Sequence, residues 1–316
     1  LLRALDGDAD SRIGSHTWFA LAGFVGGLAT STKYSAAALM AGAMPLAACG
    51  GSDTTSTTEP ADNPTFAAGT TMEKLSKAGK ITIGTKFDQP GFGLQNLDGK
   101  PEGFDVEIAK LIAAKLGLAA DKITWVETPS KVREEKIERA EVDLVVATYT
   151  INDKRKERVT FAGPYYVAGQ QLMVRSDNTA ITGPDALKAN PAAKVCSVTG
   201  STPAENIKEY LAAPGQLVLF DVYDKCADAL RTKQVDVVTT DNVILLGFVS
   251  KSEGAFKLAG EQFTKEPYGI GMKKGDTEFC TFVNSVLAEA STGGTYLTAW
   301  KATAGKVAGA QDAVLP

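Results

Sequence analysis

Residues 142–155, VDLVVATYTINDKR, indicate the fold of this chain. The stretch begins with an apolar run at 144–147, which is typical of a strand buried on both faces of a parallel sheet. Three hydroxyl residues follow at 148–150, and strands of this kind end at the crevices where α/β sheets bind ligands. Arg155 then lies in the predicted first turn of a helix, where its guanidinium can bind a carboxylate through two hydrogen bonds.

A second stretch, VDVVTTDN at 235–242, repeats this pattern and ends at Asp241. Two similar α/β units, each with a polar strand end, predict two lobes that face each other across a cleft. Arg155 suits a carboxylate and Asp241 suits an ammonium group, so the pair predicts a site for a small zwitterion. Either stretch alone also fits an ordinary core strand with a solvated end; the opposite charges favour the ligand site.

The N-terminal part of the chain is predicted to be a leader and not part of the fold. Lys33 precedes an apolar run of small residues that ends in LAAC at Cys49, and this ending resembles a bacterial lipobox. Residues 1–48 are therefore predicted to be a signal segment, and Cys49 the lipidated first residue. Residues 49–65 then form a flexible tether, because they are rich in Ser, Thr, Asp and Pro. The predicted location is extracytoplasmic, with a lipid anchor on the outer face of the membrane.

Composition excludes several classes of function. The length of 316 residues accommodates two domains, and the net charge of −4 leaves no basic footprint for nucleic acid. The single histidine, His16, lies in the predicted leader, so the mature chain lacks Ser-His-Asp and Cys-His catalysis and histidine metal sites. No phosphate-binding or dinucleotide glycine loop is present either. We therefore predict no cofactor and no metal.

Besides Cys49, three cysteines remain in the predicted mature chain, and export favours a disulfide between two of them. Cys196 falls in a short predicted strand and Cys226 in the helix that follows the next strand. We predict that these two pair, with the other pairings left open and Cys280 as a free thiol.

Three segments carry a resemblance to a known family: TKFDQPGFG (85–93), GKPEGFDVEIAKLIAAKLG (99–117) and VDLVVATYTINDKRKERVTFAGPYY (142–166). In this order they resemble the extracytoplasmic solute-binding proteins of ABC transporters for polar amino acids (family 3). The residues of these segments most resemble those of glutamate-binding lipoproteins of Gram-positive bacteria, and the resemblance extends over about 80–305.

This resemblance implies a two-lobed α/β fold of the periplasmic-binding-protein kind, with two hinge strands and the ligand in the cleft. Lobe one would comprise 66–166 plus 266–310, and lobe two 167–265. The crossings would fall at about 164–174 and 262–272. Gly169, Gly269 and Gly271 lie in them and suit hinges, although glycine in a strand can equally mark a bulge.

The resemblance also implies how the ligand's backbone groups are held. Arg155 would bind the α-carboxylate, while Asp241 would bind the ammonium group. Thr150 would contribute its hydroxyl and backbone, and Thr148 its carbonyl. Thr202, within TGSTPAE at 199–205, is predicted to start a helix in a capping box with Glu205, at a place where the family binds the α-carboxylate; capping boxes also begin many helices that bind nothing.

Specificity is predicted to depend on the contacts of the ligand side chain. Ser130 and Arg133 match an S-x-x-R pattern that holds the distal carboxylate in glutamate- and aspartate-binding members, and Lys86 would add a second cation. The alternative for Arg133 is a solvated residue paired with neighbouring glutamates on a helix. Phe92 and Tyr149 fit either the wall of the ligand site or the core.

The predicted function is the capture of an acidic amino acid, first of all L-glutamate, by lobe closure, and its delivery to an ABC permease and ATPase. The chain is predicted to be a monomer. Glutamine, aspartate and asparagine stay open as ligands. Two other interpretations are a sensory lipoprotein and an enzyme related to prephenate or arogenate dehydratases, for which Glu127 is the candidate acid.

Overall fold

The structure is a computed structural model that describes residues 58–307, 309–310 and 312–316. The predicted leader, Cys49 and the first part of the tether lie outside the described residues. In the later part of the tether, the backbone N–H of Ala61 donates to the carbonyl of Ala114 at 2.8 Å. This part of the predicted tether therefore lies against the folded chain. Within the described residues, no helix has the length and apolar character that crossing a membrane requires.

The described residues form thirteen strands. In chain order they are β1 (Ile81–Thr85), β2 (Asp88–Gln89), β3 (Gly93–Gln95), β4 (Pro101–Glu102), β5 (Ile123–Glu127), β6 (Leu144–Thr150), β7 (Val159–Ala168), β8 (Gln170–Arg175), β9 (Val195–Val198), β10 (Leu217–Phe220), β11 (Val237–Asp241), β12 (Phe256–Ala259) and β13 (Glu266–Lys273).

The described residues also form ten α-helices. They are α1 (Thr71–Ala78), α2 (Phe104–Lys115), α3 (Arg133–Glu138), α4 (Asp153–Lys156), α5 (Ala186–Ala189), α6 (Thr202–Asn206), α7 (Tyr223–Arg231), α8 (Asn242–Ser250), α9 (Thr277–Thr292) and α10 (Thr295–Ala302).

Two five-stranded sheets confirm the predicted two-lobed α/β fold. The first has the order β5-β1-β6-β13-β7 and the second the order β10-β9-β11-β8-β12. In each sheet parallel strands are joined by helices, and the remaining strands run antiparallel. We call the part that carries the first sheet lobe one and the part that carries the second sheet lobe two. The two quoted stretches contain β6 and β11, and every residue of these two strands is buried, as a strand covered on both faces requires.

The core of lobe one lies between the first sheet and helices α2, α9 and α10. Phe92 is fully buried there against Phe104, Tyr268 and Trp300, with ring centroids about 6 Å apart. Edge-to-face packing of this kind favours aromatic rings beyond the area that they bury. Of the two interpretations of Phe92, the structure therefore supports the core residue.

The chain passes between the lobes at Gly169, which separates β7 from β8, and again between β12 and β13. A Cβ atom at Gly169 would lie 2.8 Å from the carbonyl oxygen of Thr264, so the two crossings run side by side. Gly269 and Gly271 instead lie within β13, where the register with β6 shifts between them. Because of this register shift, the two glycines mark a β-bulge and not the crossing. A side chain at Gly269 would also meet Ile151, and one at Gly271 would meet Tyr149.

A disulfide joins Cys196 of β9 to Cys226 of α7, with the Cα atoms 5.6 Å apart, which confirms the predicted pairing. Cys280 is a free, half-buried thiol. The disulfide ties the second sheet to the helix that covers it, and both cysteines are fully buried.

Replacing both Cys196 and Cys226 with alanine is expected to lower the free energy of unfolding by about 2–4 kcal/mol, because the unfolded chain regains the freedom that the crosslink removes. Urea unfolding with and without a reductant measures this. The variant Cys280→Ala is the control, and the reductant should shift its midpoint as much as it shifts that of the parent. An unchanged midpoint in the double variant would show that the crosslink adds nothing to stability.

Candidate functional site

Polar strand ends from both lobes surround a narrow space, which we call the inner cavity. Its volume is about 10 Å³, which is about the room that one water molecule needs. A molecule of amino-acid size therefore enters only when the lobes separate. The residues that line it are Gln89, Ser130, Arg133, Thr148 and Thr150 of lobe one, and Ser201, Thr202, Pro203, Tyr223, Thr240, Asp241 and Ile244 of lobe two.

Six of the eight predicted ligand residues line the inner cavity: Ser130, Arg133, Thr148, Thr150, Thr202 and Asp241. Arg155 instead lines a wider outer pocket, which shares Ser130, Ser201 and Thr202 with the inner cavity. Lys86 lines neither of these two spaces but is buried close by. The sequence pattern thus identified residues that are brought together from positions more than a hundred apart.

Arg155 holds two parts of the chain that belong to different lobes. Helix α4 begins at Asp153 with Asn152 as its N-cap, and this places Arg155 in the first turn of a helix, as predicted, at 6 % exposure. Its Nη1 donates to the Thr150 carbonyl at 2.7 Å and its Nη2 to the Gly200 carbonyl at 3.1 Å, while Nε lies 3.2 Å from Glu134.

Two of the five N–H groups of Arg155 stay available, one on each terminal nitrogen. A pair of this kind is what a bidentate carboxylate requires. Burial, and then the charge of Arg133, lower the pKa of Arg155 to about 10, so the guanidinium remains charged at neutral pH.

Asp241 presents a carboxylate oxygen without a hydrogen-bond partner to the inner cavity. Its Oδ2 accepts from the hydroxyl of Tyr268 at 2.6 Å, while Oδ1 has no partner within the described residues. Burial, and next the charge of Glu266, raise the pKa of Asp241 to about 7. An ammonium group beside Oδ1 would supply both the missing donor and the missing positive charge.

The end of β6 has a strained backbone. Thr148 has a φ of +44°, a left-handed conformation that costs free energy for a β-branched residue. Its N–H donates to Asp105 at 2.8 Å, and Asp105 also accepts from the hydroxyl of Tyr165. Burial raises the pKa of Asp105 to about 7. The aspartate of the GFD helix start therefore holds the strained turn, a role that the sequence analysis did not assign.

Helix α6 begins one residue earlier than predicted. The N-cap is Ser201, whose hydroxyl accepts from the N–H of Ala204, so the capping box with Thr202 as the cap is wrong. The serine outcompetes the threonine because its hydroxyl also donates to the Val198 carbonyl. Thr202 becomes the first helical residue, and its hydroxyl oxygen lies 3.2 Å from that of Thr150 across the cleft.

Arg133 is buried at 2 % exposure, so the alternative of a solvated arginine is wrong. Its Nη1 donates to the Ala147 carbonyl at 2.9 Å, and its guanidinium carbon lies 4.1 Å from the centre of the Tyr149 ring. Its Nε has no hydrogen-bond partner, and no carboxylate of the described residues lies within 4 Å of it. The ring of Tyr149 therefore packs on the guanidinium of Arg133 and does not line the inner cavity.

Lys86 is a second buried cation in this region, at 1 % exposure. Its Nζ has no hydrogen-bond partner, and the nearest carboxylate oxygen, on Asp88, is 3.9 Å away. Burial lowers the pKa of Lys86; Asp88 partly offsets this, and the charge of Arg133 lowers the pKa further. The positive charge of Arg133 is thus felt at Lys86.

Contacts across the cleft show that the lobes are closed. The N–H of Tyr223 donates to Asp88 at 2.6 Å, and Lys131 pairs with Asp221 at the surface at 2.6 Å. A Cβ atom at Gly200 would lie 2.8 Å from the Cα of Lys131. The glycine of TGSTP is thus required for the close approach of the two lobes.

Six of the twelve residues that line the inner cavity were not predicted as ligand residues: Gln89, Ser201, Pro203, Tyr223, Thr240 and Ile244. Asp105, which holds Thr148, and Glu266, which contacts Thr202, were not predicted either. Asp105 and Gln89 lie in segments that carry the family resemblance, so the sequence contained a signal for them. Tyr223 and Glu266 have no local signal, since only the packing of the lobes brings them to the site. Within the described residues, no three His, Cys, Asp or Glu side chains are placed to hold a metal ion.

The chain is similar to known proteins over most of the described residues. Residues 81–301 match the bacterial extracellular solute-binding proteins, family 3. The glutamate-binding protein GluB of Corynebacterium efficiens is 42 % identical over 228 residues, which cover 69 % of this chain and 76 % of that protein. The glutamine-binding protein of Geobacillus stearothermophilus is 39 % identical over 239 residues, covering 74 % and 89 %. An ancestral arginine-binding protein bound to glutamine has a TM-score of 0.65 and 33 % identity, covering 71 % and 96 %.

Proposed function

Because this chain belongs to the bacterial extracellular solute-binding proteins of family 3, we propose that it captures an acidic amino acid between its lobes and delivers it to an ABC importer. The first candidate ligand is L-glutamate. The relatives named for glutamate and for glutamine support an amino acid as the ligand and leave the side chain to be decided.

The buried charge of Arg133 is the observation that carries the choice of an acidic ligand. It has no carboxylate of the described residues within 4 Å, and Lys86 nearby has its closest one only at 3.9 Å. A buried charge without a partner is costly, and a ligand carboxylate at this end of the cavity would remove the cost. Glutamine would leave the charge of Arg133 uncompensated. Ser130, which lines the same cavity, would donate to the distal carboxylate.

Other side chains, in the inner cavity and in the outer pocket that adjoins it, suit the backbone groups of an amino acid. The two free N–H groups of Arg155 would bind the α-carboxylate, and Oδ1 of Asp241 the ammonium group. Thr150 would accept from the ammonium group through its hydroxyl, with the carbonyl of Thr148 beside it. Thr202 would close the site from lobe two.

The proposed mechanism is closure of the lobes around the ligand. Arg155 of lobe one reaches Gly200 of lobe two, and Thr150 meets Thr202, so residues that would bind the ligand also join the lobes. A ligand that contacts both lobes binds the closed state more tightly and shifts the equilibrium toward it. A closed, loaded monomer would then dock on a permease that works with an ATPase. Lipidation at Cys49 would keep it at the outer face of the membrane.

Substitution of Arg133 by methionine is expected to weaken L-glutamate binding by about tenfold to a hundredfold, because a charge-assisted hydrogen bond is lost. Glutamine affinity should change by less than about threefold, since its amide gains little from the charge. Titration calorimetry with glutamate, glutamine, aspartate and asparagine measures both. The matched control is Arg139→Met, an exposed arginine paired with Glu135. Equal losses for glutamate and glutamine would contradict an acidic ligand.

An enzyme remains the second candidate, because a carboxyl with a pKa of about 7 in a closed cleft suits a proton donor. The predicted acid, Glu127, does not fit this role: it is exposed at the end of β5 and does not line the inner cavity. Asp241 would have to serve instead. Incubation with prephenate or arogenate, followed by detection of the aromatic product, decides between an enzyme and a binding protein. Neighbouring genes for a permease and an ATPase would separate transport from sensing.

A further inference from the structure

Glu266 is a buried carboxylate that the ligand contacts proposed above do not include. It is the first residue of β13, at the second crossing between the lobes, and is 2 % exposed. No lysine, arginine or histidine of the described residues lies within 4 Å of it. A buried carboxylate without a cation needs strong hydrogen-bond donors, so its donors show what it holds in place.

Three neutral side chains donate to Glu266. Its Oε2 accepts from the hydroxyl of Thr202 at 2.8 Å. Its Oε1 accepts from the amide of Asn206 and from the hydroxyl of Thr264, both at 3.0 Å. The two oxygens therefore have different surroundings, because only Oε2 accepts from a residue that lines the inner cavity.

Counting protons fixes the direction of the contact between Thr202 and Thr150. A hydroxyl group has one proton, and that of Thr202 goes to the carboxylate, which is the strongest acceptor within reach. The hydroxyl of Thr202 is also placed to donate to that of Thr150, 3.2 Å away, but while the carboxylate holds the single proton of Thr202 its oxygen can only accept, and it then accepts from Thr150. The oxygen of Thr150 is then left with lone pairs alone on the side of the cavity.

We propose that Glu266 is a positioning residue for the ligand's amino group, acting through Thr202 and Thr150. The chain runs from the carboxylate to the Thr202 hydroxyl, from there to the Thr150 hydroxyl, and ends on an oxygen that accepts from an ammonium group. Without the carboxylate, the Thr202 proton is free to turn to Thr150, whose hydroxyl would then compete as a donor at the ammonium position. This inference rests on the proposed function, since it needs an amino acid as the ligand.

The electrostatics of the site agree with this role. The charge of Glu266 contributes to the raised pKa of Asp241, so the two carboxylates interact electrostatically. An ammonium group between Asp241 and Thr150 would be attracted by both. Glu266 accepts hydrogen bonds from Asn206 of α6 and from Thr264 of the crossing. It therefore links the proposed amino-group site to the crossing between the lobes.

A double-mutant cycle on the full mature chain tests the proposal by titration calorimetry with L-glutamate. Glu266→Gln and Thr202→Val are each expected to weaken binding by about tenfold or more. The double variant should bind no more than about threefold more weakly than the weaker single variant, because both break one chain of hydrogen bonds. Losses that multiply would overturn the proposal. Thr202→Ser, which keeps the hydroxyl, should restore binding to within about threefold.

Two further variants separate positioning from structure. Asn206→Ala removes a donor to Oε1 and is expected to lower the unfolding temperature while glutamate affinity stays within about twofold. If Glu266→Gln does not fold, Glu266→Asp takes its place in the cycle, with the same non-additivity expected. If the parent protein binds no amino acid, the proposed function itself is refuted. If the parent protein binds glutamate and Glu266→Gln binds it with equal affinity, only the role of Glu266 is refuted.

Discussion

Replacing Arg155 with methionine is expected to weaken L-glutamate binding by about two to three orders of magnitude. The substitution removes both N–H groups that are free for a carboxylate, and it leaves Glu134 as a buried charge without its partner. It also removes the contact from lobe one to the Gly200 carbonyl of lobe two, so closure and ligand binding are lost together. Titration calorimetry gives the affinity directly.

Arg158 offers a matched control for this substitution. It lines the outer pocket but is exposed and pairs with Glu138 at the surface, so Arg158→Met should keep glutamate affinity within about twofold. The conservative variant Arg155→Lys should still lose at least about tenfold, because an ammonium group cannot donate to two carbonyls and a carboxylate in one plane. Near-parental affinity in Arg155→Met would remove this residue from the proposed site.

Replacing Asp241 with asparagine is expected to cost a similar two to three orders of magnitude, because a buried ligand ammonium would lose its charge partner. The effect should be specific for the amino group. Asp228→Asn, on an exposed position of α7, is the matched control and should bind like the parent. An asparagine variant of unchanged affinity would show that the ammonium group binds elsewhere.

The same residue predicts how affinity depends on pH. The pKa of Asp241 is raised to about 7 in the ligand-free protein, mainly by burial. A bound ammonium group favours the ionised carboxylate and lowers this pKa, so binding releases a proton when the pH is below about 7. Affinity should therefore rise about tenfold between about pH 6 and pH 8 and then level off.

Asp105 titrates in the same range, so the pH prediction needs its own control. Burial raises its pKa to about 7 as well, although its two oxygens accept from Thr148 and Tyr165. Calorimetry in buffers of different ionisation enthalpy measures the released protons. The pH dependence should disappear in Asp241→Asn. If it survives there, Asp105 and not Asp241 is the group that titrates.

Local sequence signals were sufficient for the elements of the fold. The apolar runs before Thr148 and Asp241 predicted two buried strands, and both form as expected. Arg155 was expected in the first turn of a helix and lies in α4, and the predicted pairing of Cys196 with Cys226 is the observed disulfide. Each of these features depends on neighbours in the chain or on composition, which a sequence displays directly.

Signals that compete over one residue were harder to resolve. Ser201 and Thr202 are both good N-caps, and Pro203 is tolerated at either of the first helical positions. Ser201 is the N-cap because its hydroxyl also contacts the end of β9, and the capping pattern does not encode this contact. Because the helix begins one residue earlier, the hydroxyl of Thr202 contacts Thr150 and Glu266 and does not cap its own helix.

By itself, the sequence determined the strands, the helices, the disulfide, the opposite charges of Arg155 and Asp241, and the family resemblance. Only the tertiary structure decided that Arg133 and Lys86 are buried, and that Glu266 accepts a hydrogen bond from Thr202. Secondary structure follows from periodicity and capping between residues a few positions apart. Burial of a charge and the pairing of hydroxyls across a cleft depend instead on how two lobes close, which brings together residues more than a hundred positions apart in the chain.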